Sequence, residues 1–160
     1  MSQVTDKTGP KRPPRGSYAV TVDATGRFKF PAAYKEYLES LEDKTIFITA
    51  VFGLIRGYTN DSWEQALSKL AADAAVQKAV WEDGDRFGQD MTPDGQGRAT
   101  LPQKVRDAVK LDLTNGTTLQ MRFHGEVIWM YTQQQWAQME ARNDANQEAL
   151  RAAAEKLGLV

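Results

Sequence analysis

Two arginines occupy matching turns in this chain, and arginine is the side chain best equipped to read a nucleic acid. Asp23-Ala-Thr-Gly26-Arg27-Phe-Lys-Phe-Pro31 and Asp94-Gly-Gln-Gly97-Arg98-Ala-Thr-Leu-Pro102 share the pattern Asp-x-x-Gly-Arg-x-x-x-Pro, 71 positions apart. The guanidinium fork matches guanine edges bidentately and also suits phosphates. Asp23 and Asp94 are placed to accept hydrogen bonds from turn amides, and Gly26 and Gly97 supply the positive φ a tight turn requires. A simpler role is open to the same residues: Arg27 and Arg98 can each pair with the aspartate four positions earlier and merely tie the turn. Two matching turns shift the balance, because pairing of the halves about a pseudo-two-fold axis would set both arginines on one surface, spaced like half-sites of a duplex. Lys29 and Arg15 would add phosphate contacts beside Arg27.

Other chemistries have less to stand on. His124 is the only histidine and has no partner suggested by spacing. No nucleophile elbow, zinc-protease motif or phosphate-binding loop occurs. Asp83, Asp85, Gly88 and Asp94 fall in a calcium-loop register, but Phe87 takes a ligand position and the bidentate Glu is missing. That stretch is expected to be a solvated loop. Cysteine is absent, which excludes disulfides and thiolate metal sites and suits a reducing compartment. No enzyme activity, metal, cofactor or small-molecule ligand is expected. Lacking an apolar run of spanning length or a signal-peptide stretch, the chain reads as a cytoplasmic protein with no membrane partner.

Net charge is −1 over 160 residues, but it is unevenly spread. Residues 1–37 hold seven Lys/Arg against three Asp/Glu, residues 38–97 five against eleven, and residues 98–160 eight against seven. A polyanion would be met at the basic N-terminal third. Residues 1–15 concentrate Lys7, Lys11, Arg12 and Arg15 among three prolines and read as a disordered basic arm. Lys11 and Arg12 join the candidate DNA contacts on that charge.

The elements that must position the turns also recur. Val20 and Val22 alternate before the first turn and Phe28 and Phe30 after it, as in half-buried strands. Pro31 and Pro102 open helices, with Tyr34, Tyr37, Leu38 and Leu41 in phase in the first, and Val105, Ala108 and Val109 in the second. Thr45, Tyr58, Thr59 and Trp63 recur as Thr118, Tyr131, Thr132 and Trp136 at an offset of 73. Helices are expected over about 61–82 and 133–157, opened by capping boxes at Asp61/Glu64 and Thr132/Gln135. Trp63 and Trp136 fall at core-facing phases, and Trp81 and Trp129 suit a contact between subunits. The chain thus reads as strand–turn–strand–helix–two strands–helix, written twice. Its expected organisation is the arm 1–15, a first repeat 16–82, an acidic linker 83–93 and a second repeat 94–160.

The twin turns, the prolines and the strand–helix order resemble the MraZ family, from about Arg15 to Trp136. Arg15-Gly16, Tyr34-Lys35-Glu36 and Val105-Arg106-Asp107 sit where the family carries Arg-Gly and hydrophobic–basic–acidic helix starts. The chain departs from the pattern at Pro14, at Trp129-Met130-Tyr131 in place of Glu-x-Trp, at Ala99 in place of a large apolar residue, and in Trp81–Gly88. The resemblance implies an α+β fold of two tandem AbrB-like swapped-hairpin units forming a pseudo-two-fold, β-barrel-like core with flanking helices. It further implies a DNA-binding repressor or activator, nucleoid-associated, that binds short direct repeats in promoter duplex DNA as a ring-shaped homo-oligomer, with Arg27 and Arg98 reaching the DNA. Two other classes fit the same fold: an interaction or scaffold ring that lost DNA binding, and an AbrB-like antitoxin whose C-terminal helix binds a toxin.

Overall fold

Alternation decides the strands. In β1 (Tyr18–Val22) the side chains of Val20 and Val22 are buried while Ala19 and Thr21 face solvent; in β2 (Arg27–Lys29) only Phe28 is buried. The computed structural model describes residues 12–160. After β2 come α1 (Ala32–Ser40), the hairpin β3 (Ile46–Val51) and β4 (Leu54–Tyr58), then α2 (Ser62–Ser68) and α3 (Ala74–Phe87). The second half runs β5 (Gln89–Met91), β6 (Arg98–Thr100), α4 (Gln103–Ala108), the hairpin β7 (Thr117–His124) and β8 (Val127–Tyr131), then α5 (Gln133–Ala145) and α6 (Gln147–Lys156). Among the described residues no helix is long and apolar enough to cross a membrane.

The strands make a six-stranded antiparallel sheet, ordered β1-β7-β8-β4-β3-β5, and a separate two-stranded ribbon, β2-β6. The expected barrel does not close. β1 and β5 terminate the sheet, and the three-residue strands β2 and β6 pair with each other instead of bridging those edges.

Residue register ties the two halves together. Val20 opposes Leu119 in β1–β7, and Met91 opposes Ile46 in β5–β3, positions related by the offsets 71 and 73. In β4–β8, Ile55 opposes Met130 and Gly57 opposes Ile128, so exchanging counterpart positions returns the same pairs. The ribbon behaves likewise: Phe30 N donates to Gly97 O at 2.9 Å and Leu101 N to Gly26 O at 2.8 Å.

One core results. Phe28, Phe30, Tyr34 and Leu38 from the first half and Leu101 and Val105 from the second cover Ile46, Ile48, Ile55, Leu119, Met121, Ile128 and Met130 on the sheet's inner face. Tyr34 and Tyr37 are buried as their phase requires, whereas Trp63 and Trp136 are only half-buried on the outer face.

Three helical expectations need correction. The stretch 61–82 breaks because Asp73 caps a new helix, its carboxylate accepting from Val76 N at 3.1 Å. The stretch 133–157 breaks at Asn146, whose side-chain amide donates back to Arg142 O at 3.0 Å. Asp61 makes no capping bond; it accepts from the Gln65 side chain at 2.8 Å, while the Thr132–Gln135 box forms with both bonds at 3.1 Å. Nor is 83–93 a solvated loop. Asp83 and Asp85 lie in α3, and β5 supplies a sheet edge, because Thr49 Oγ1 donates to Gly84 O at 2.8 Å and draws the helix onto β3.

Candidate nucleic-acid interface

Antiparallel pairing of β2 and β6 builds the site. Arg27 opposes Thr100, Phe28 opposes Ala99 and Lys29 opposes Arg98. Side chains alternate across a strand, so Phe28 and Ala99 point into the core while Arg27, Lys29, Arg98 and Thr100 share the outer face. Three cations therefore occupy one two-stranded surface, with Lys29 and Arg98 directly opposite, their Cβ atoms about 5 Å apart.

Each turn is braced by its aspartate. Asp23 Oδ1 accepts from Thr25 N and Arg27 N at 2.9 Å and from Thr25 Oγ1 at 2.6 Å. Asp94 Oδ1 accepts from Gln96 N and Arg98 N, both at 2.9 Å. Gly26 and Gly97 adopt φ of 88° and 79°, which places them in the left-handed region. The hydrogen bond from the Thr25 hydroxyl, then that from Arg27 N, holds the Asp23 carboxyl below the usual carboxylate range; the amides of Arg98 and Gln96 do the same for Asp94. Both aspartates are thus ionised braces at neutral pH.

The arginines both tie the turn and stay accessible. Arg98 Nε reaches Asp94 Oδ2 at 3.1 Å, whereas Arg27 Nε lies 3.9 Å from Asp23 Oδ2 and 3.3 Å from Thr25 Oγ1. Their side chains remain 59% and 69% exposed. Exposed ion pairs of this kind contribute little stability, so either arginine can exchange its aspartate for an external anion at small cost.

Two further basic residues, which in the sequence mark only helix starts, lie beside the turns. Arg106 and Lys35, again 71 apart, lie across the opposite turns: a Cβ on Gly26 would come within 2.9 Å of Arg106 Cζ, and one on Gly97 within 3.1 Å of Lys35 Cδ. Both approaches are close, and the positive φ of each turn favours glycine independently of them. Their identical offset was the available signal. The pair is electrostatically unequal: Lys35 Nζ bonds Glu39 at 3.2 Å, while Lys110 stands at Glu39's counterpart position and Arg106 Nε is buried without a partner among the described residues.

Arg12 and Arg15 are exposed upstream of β1, which packs beside β2; Lys11 lies outside the described residues. His124 is exposed on β7, its ring stacked on Trp129 at 4.3 Å, with Arg56 over that indole at 4.3 Å. Among the described residues no group of His, Asp or Glu side chains is arranged to hold a metal ion.

Fold and site together define a class: a mixed α+β protein in which two matching turns build one shared cationic ribbon. The particular family comes from its relatives. No family model matches the chain. It is 31% identical over 102 residues to the transcriptional regulator MraZ of Koribacter versatilis, covering 61% of this chain and 69% of that protein. It is 33% identical over 101 residues to the MraZ of Acidobacterium capsulatum, covering 61% and 69%. With the MraZ of Pseudomonas putida it shares 33% identity over 107 residues, covering 61% and 68%. The chain belongs to the MraZ family.

Proposed function

We propose that this chain is a transcriptional regulator that binds short direct repeats in promoter DNA as a ring-shaped homo-oligomer, through the outer face of the β2–β6 ribbon. The observation that carries it is the register of that ribbon, which gathers Arg27, Lys29 and Arg98 on one exposed surface. Arg27 and Arg98 read base edges bidentately, while Lys29, Arg15, Arg12 and Lys11 meet phosphates and set orientation. The two halves act as tandem AbrB-like swapped-hairpin units, which is supported by sheet pairings that cross between them. Such a protein works in the cytoplasm, on the nucleoid.

One protomer offers three ribbon cations on a chain of net charge −1, so a single contact is weak. A head-to-tail interface whose rotation closes makes a ring, and the ring presents the same ribbon at a fixed repeat. Several direct repeats in phase are then held together, and effective concentration raises affinity by orders of magnitude. Affinity measured on one-, two- and four-repeat duplexes should fall far more than statistically as repeats are removed, and fall again when half a helical turn is inserted between them. A protein indifferent to repeat number and phase is not this regulator.

A further inference from the structure

The sheet's outer face carries a cleft of about 470 Å³ that the ribbon does not use. Its walls are aromatic. Phe47 and Tyr58, opposed on β3 and β4, pack against Trp63 with ring centroids 5.3 and 4.9 Å away, and Trp81 of α3 stands 50% exposed at the rim. Asp43, Glu64, Asp85 and Asp90 line it, no Lys or Arg does, and none of the four is ion-paired among the described residues. Four carboxylates beside exposed π faces select a cation. The cleft is not a by-product of the repeated pattern: 73 positions on, Gln120 stands for Phe47 and Ala137 for Glu64.

The chain itself contains a complementary segment. Residues 7–15, Lys-Thr-Gly-Pro-Lys-Arg-Pro-Pro-Arg, carry four cations, three prolines and no acid. Proline fixes φ near −65°, which lowers the entropy lost when a proline-containing sequence lies along a groove, and aromatic-lined grooves recognise proline-rich segments. The segment precedes β1 at one edge of the sheet, while Asp90 lies in β5 at the other, about 24 Å away at five strand spacings. A head-to-tail contact that sets the β1 edge of one copy beside the β5 edge of the next brings segment and cleft together. We propose that, in the absence of DNA, the acidic, aromatic cleft between β3, β4, α2 and α3 binds the basic, proline-rich residues 7–15 of a second copy of this chain, which leave it to meet phosphates when DNA is bound.

Absence of native cysteine makes the test clean. Full-length Thr8→Cys is mixed, without DNA, with full-length Thr92→Cys; Thr92 is exposed on the β5 side, its hydroxyl 3.4 Å from that of the cleft residue Thr45. A disulfide-linked heterodimer should form under mild oxidation, at least tenfold faster than between Thr8→Cys and Thr114→Cys. Adding Trp81→Ala or Asp85→Asn with Asp90→Asn to the Thr92→Cys chain, all at exposed positions, should slow it about tenfold, with circular dichroism unchanged. A rate equal to the control, a rate indifferent to those substitutions, or only internal linkage when both cysteines share a chain overturns the proposal. Because no DNA is present, that failure leaves the DNA reading standing, and a protein that fails to shift DNA can still pass this test.

Discussion

Arg27 and Arg98 look interchangeable in sequence, and their surroundings make them unequal. Arg98 is held to Asp94 at 3.1 Å, whereas Arg27 stands 3.9 Å from Asp23. Arg27 shares its end of the ribbon with Arg106, for which Lys110 stands where Lys35 has Glu39, while Lys29 stands at the other end opposite Arg98. Arg27 therefore has less to give up on meeting DNA. Replacing either by alanine should weaken specific DNA binding by about 1–3 kcal/mol, with Arg27→Ala the more damaging. Neither should move the thermal midpoint appreciably, since exposed ion pairs are worth little. Titrations of both variants against operator DNA, alongside thermal denaturation, check this. Loss of fold with intact affinity in the folded fraction would assign both arginines to turn structure alone.

At the scale of elements, capping separates two helices that looked alike. Thr132 and Gln135 exchange two bonds at the start of α5, while Asp61 makes no backbone cap at α2. Thr132→Ala should cost about 1 kcal/mol, and Asp61→Ala less than about 0.5 kcal/mol, both by denaturant unfolding. The strands and turns were legible because period-two burial and the positive-φ glycines act locally: Val20, Val22, Phe28, Gly26 and Gly97 all sit as their types demand. The helix breaks were not, since Ala-Ala-Asp-Ala-Ala around Asp73 favours helix on both sides and only the Asp73–Val76 bond shows where one ends. β5 was hidden for a different reason. Gln-Asp-Met has no strand alternation, and it becomes a strand because Ile46, Phe47 and Ile48 leave an unpaired edge beside it. The arginines of the site were readable from spacing; Arg106 and Lys35 share that offset, but their place beside the turns depends on each half lying across the other.

The whole molecule raises a question of specificity, because its pairings would also be satisfied by two copies of the same half. The register of 28 against 99 and 56 against 129 returns itself under exchange, so a fragment could in principle pair with a second copy of that fragment. Side chains argue for the mixed arrangement. Phe28 and Ala99 oppose one another in the core, 4% and 8% exposed. Pairing first halves would set Phe28 against Phe28 where one ring fits, and pairing second halves would leave a void between two alanines; close-packed interiors resist both. On the outer face Arg56 lies over Trp129, a favourable contact that like pairing would replace by Arg56 against Arg56. The small residue at 99, unusual for the resemblance, is therefore the complement of Phe28. Fragments 12–88 and 89–160, made separately, should each lack a cooperative unfolding transition, because neither alone covers Ile46, Ile55, Leu119 or Met130. Mixed in equal amounts they should regain the circular dichroism of the intact chain as a one-to-one complex. Ala99→Phe in the second fragment should then weaken the complex by about 1–3 kcal/mol, as overpacking does, and Phe28→Ala with Ala99→Phe should recover much of that loss by reversing which side is large. Sedimentation and denaturation of the four combinations decide it: stable homodimers of either fragment, or no rescue in the double exchange, would mean that something other than this large-to-small pair selects the partner half.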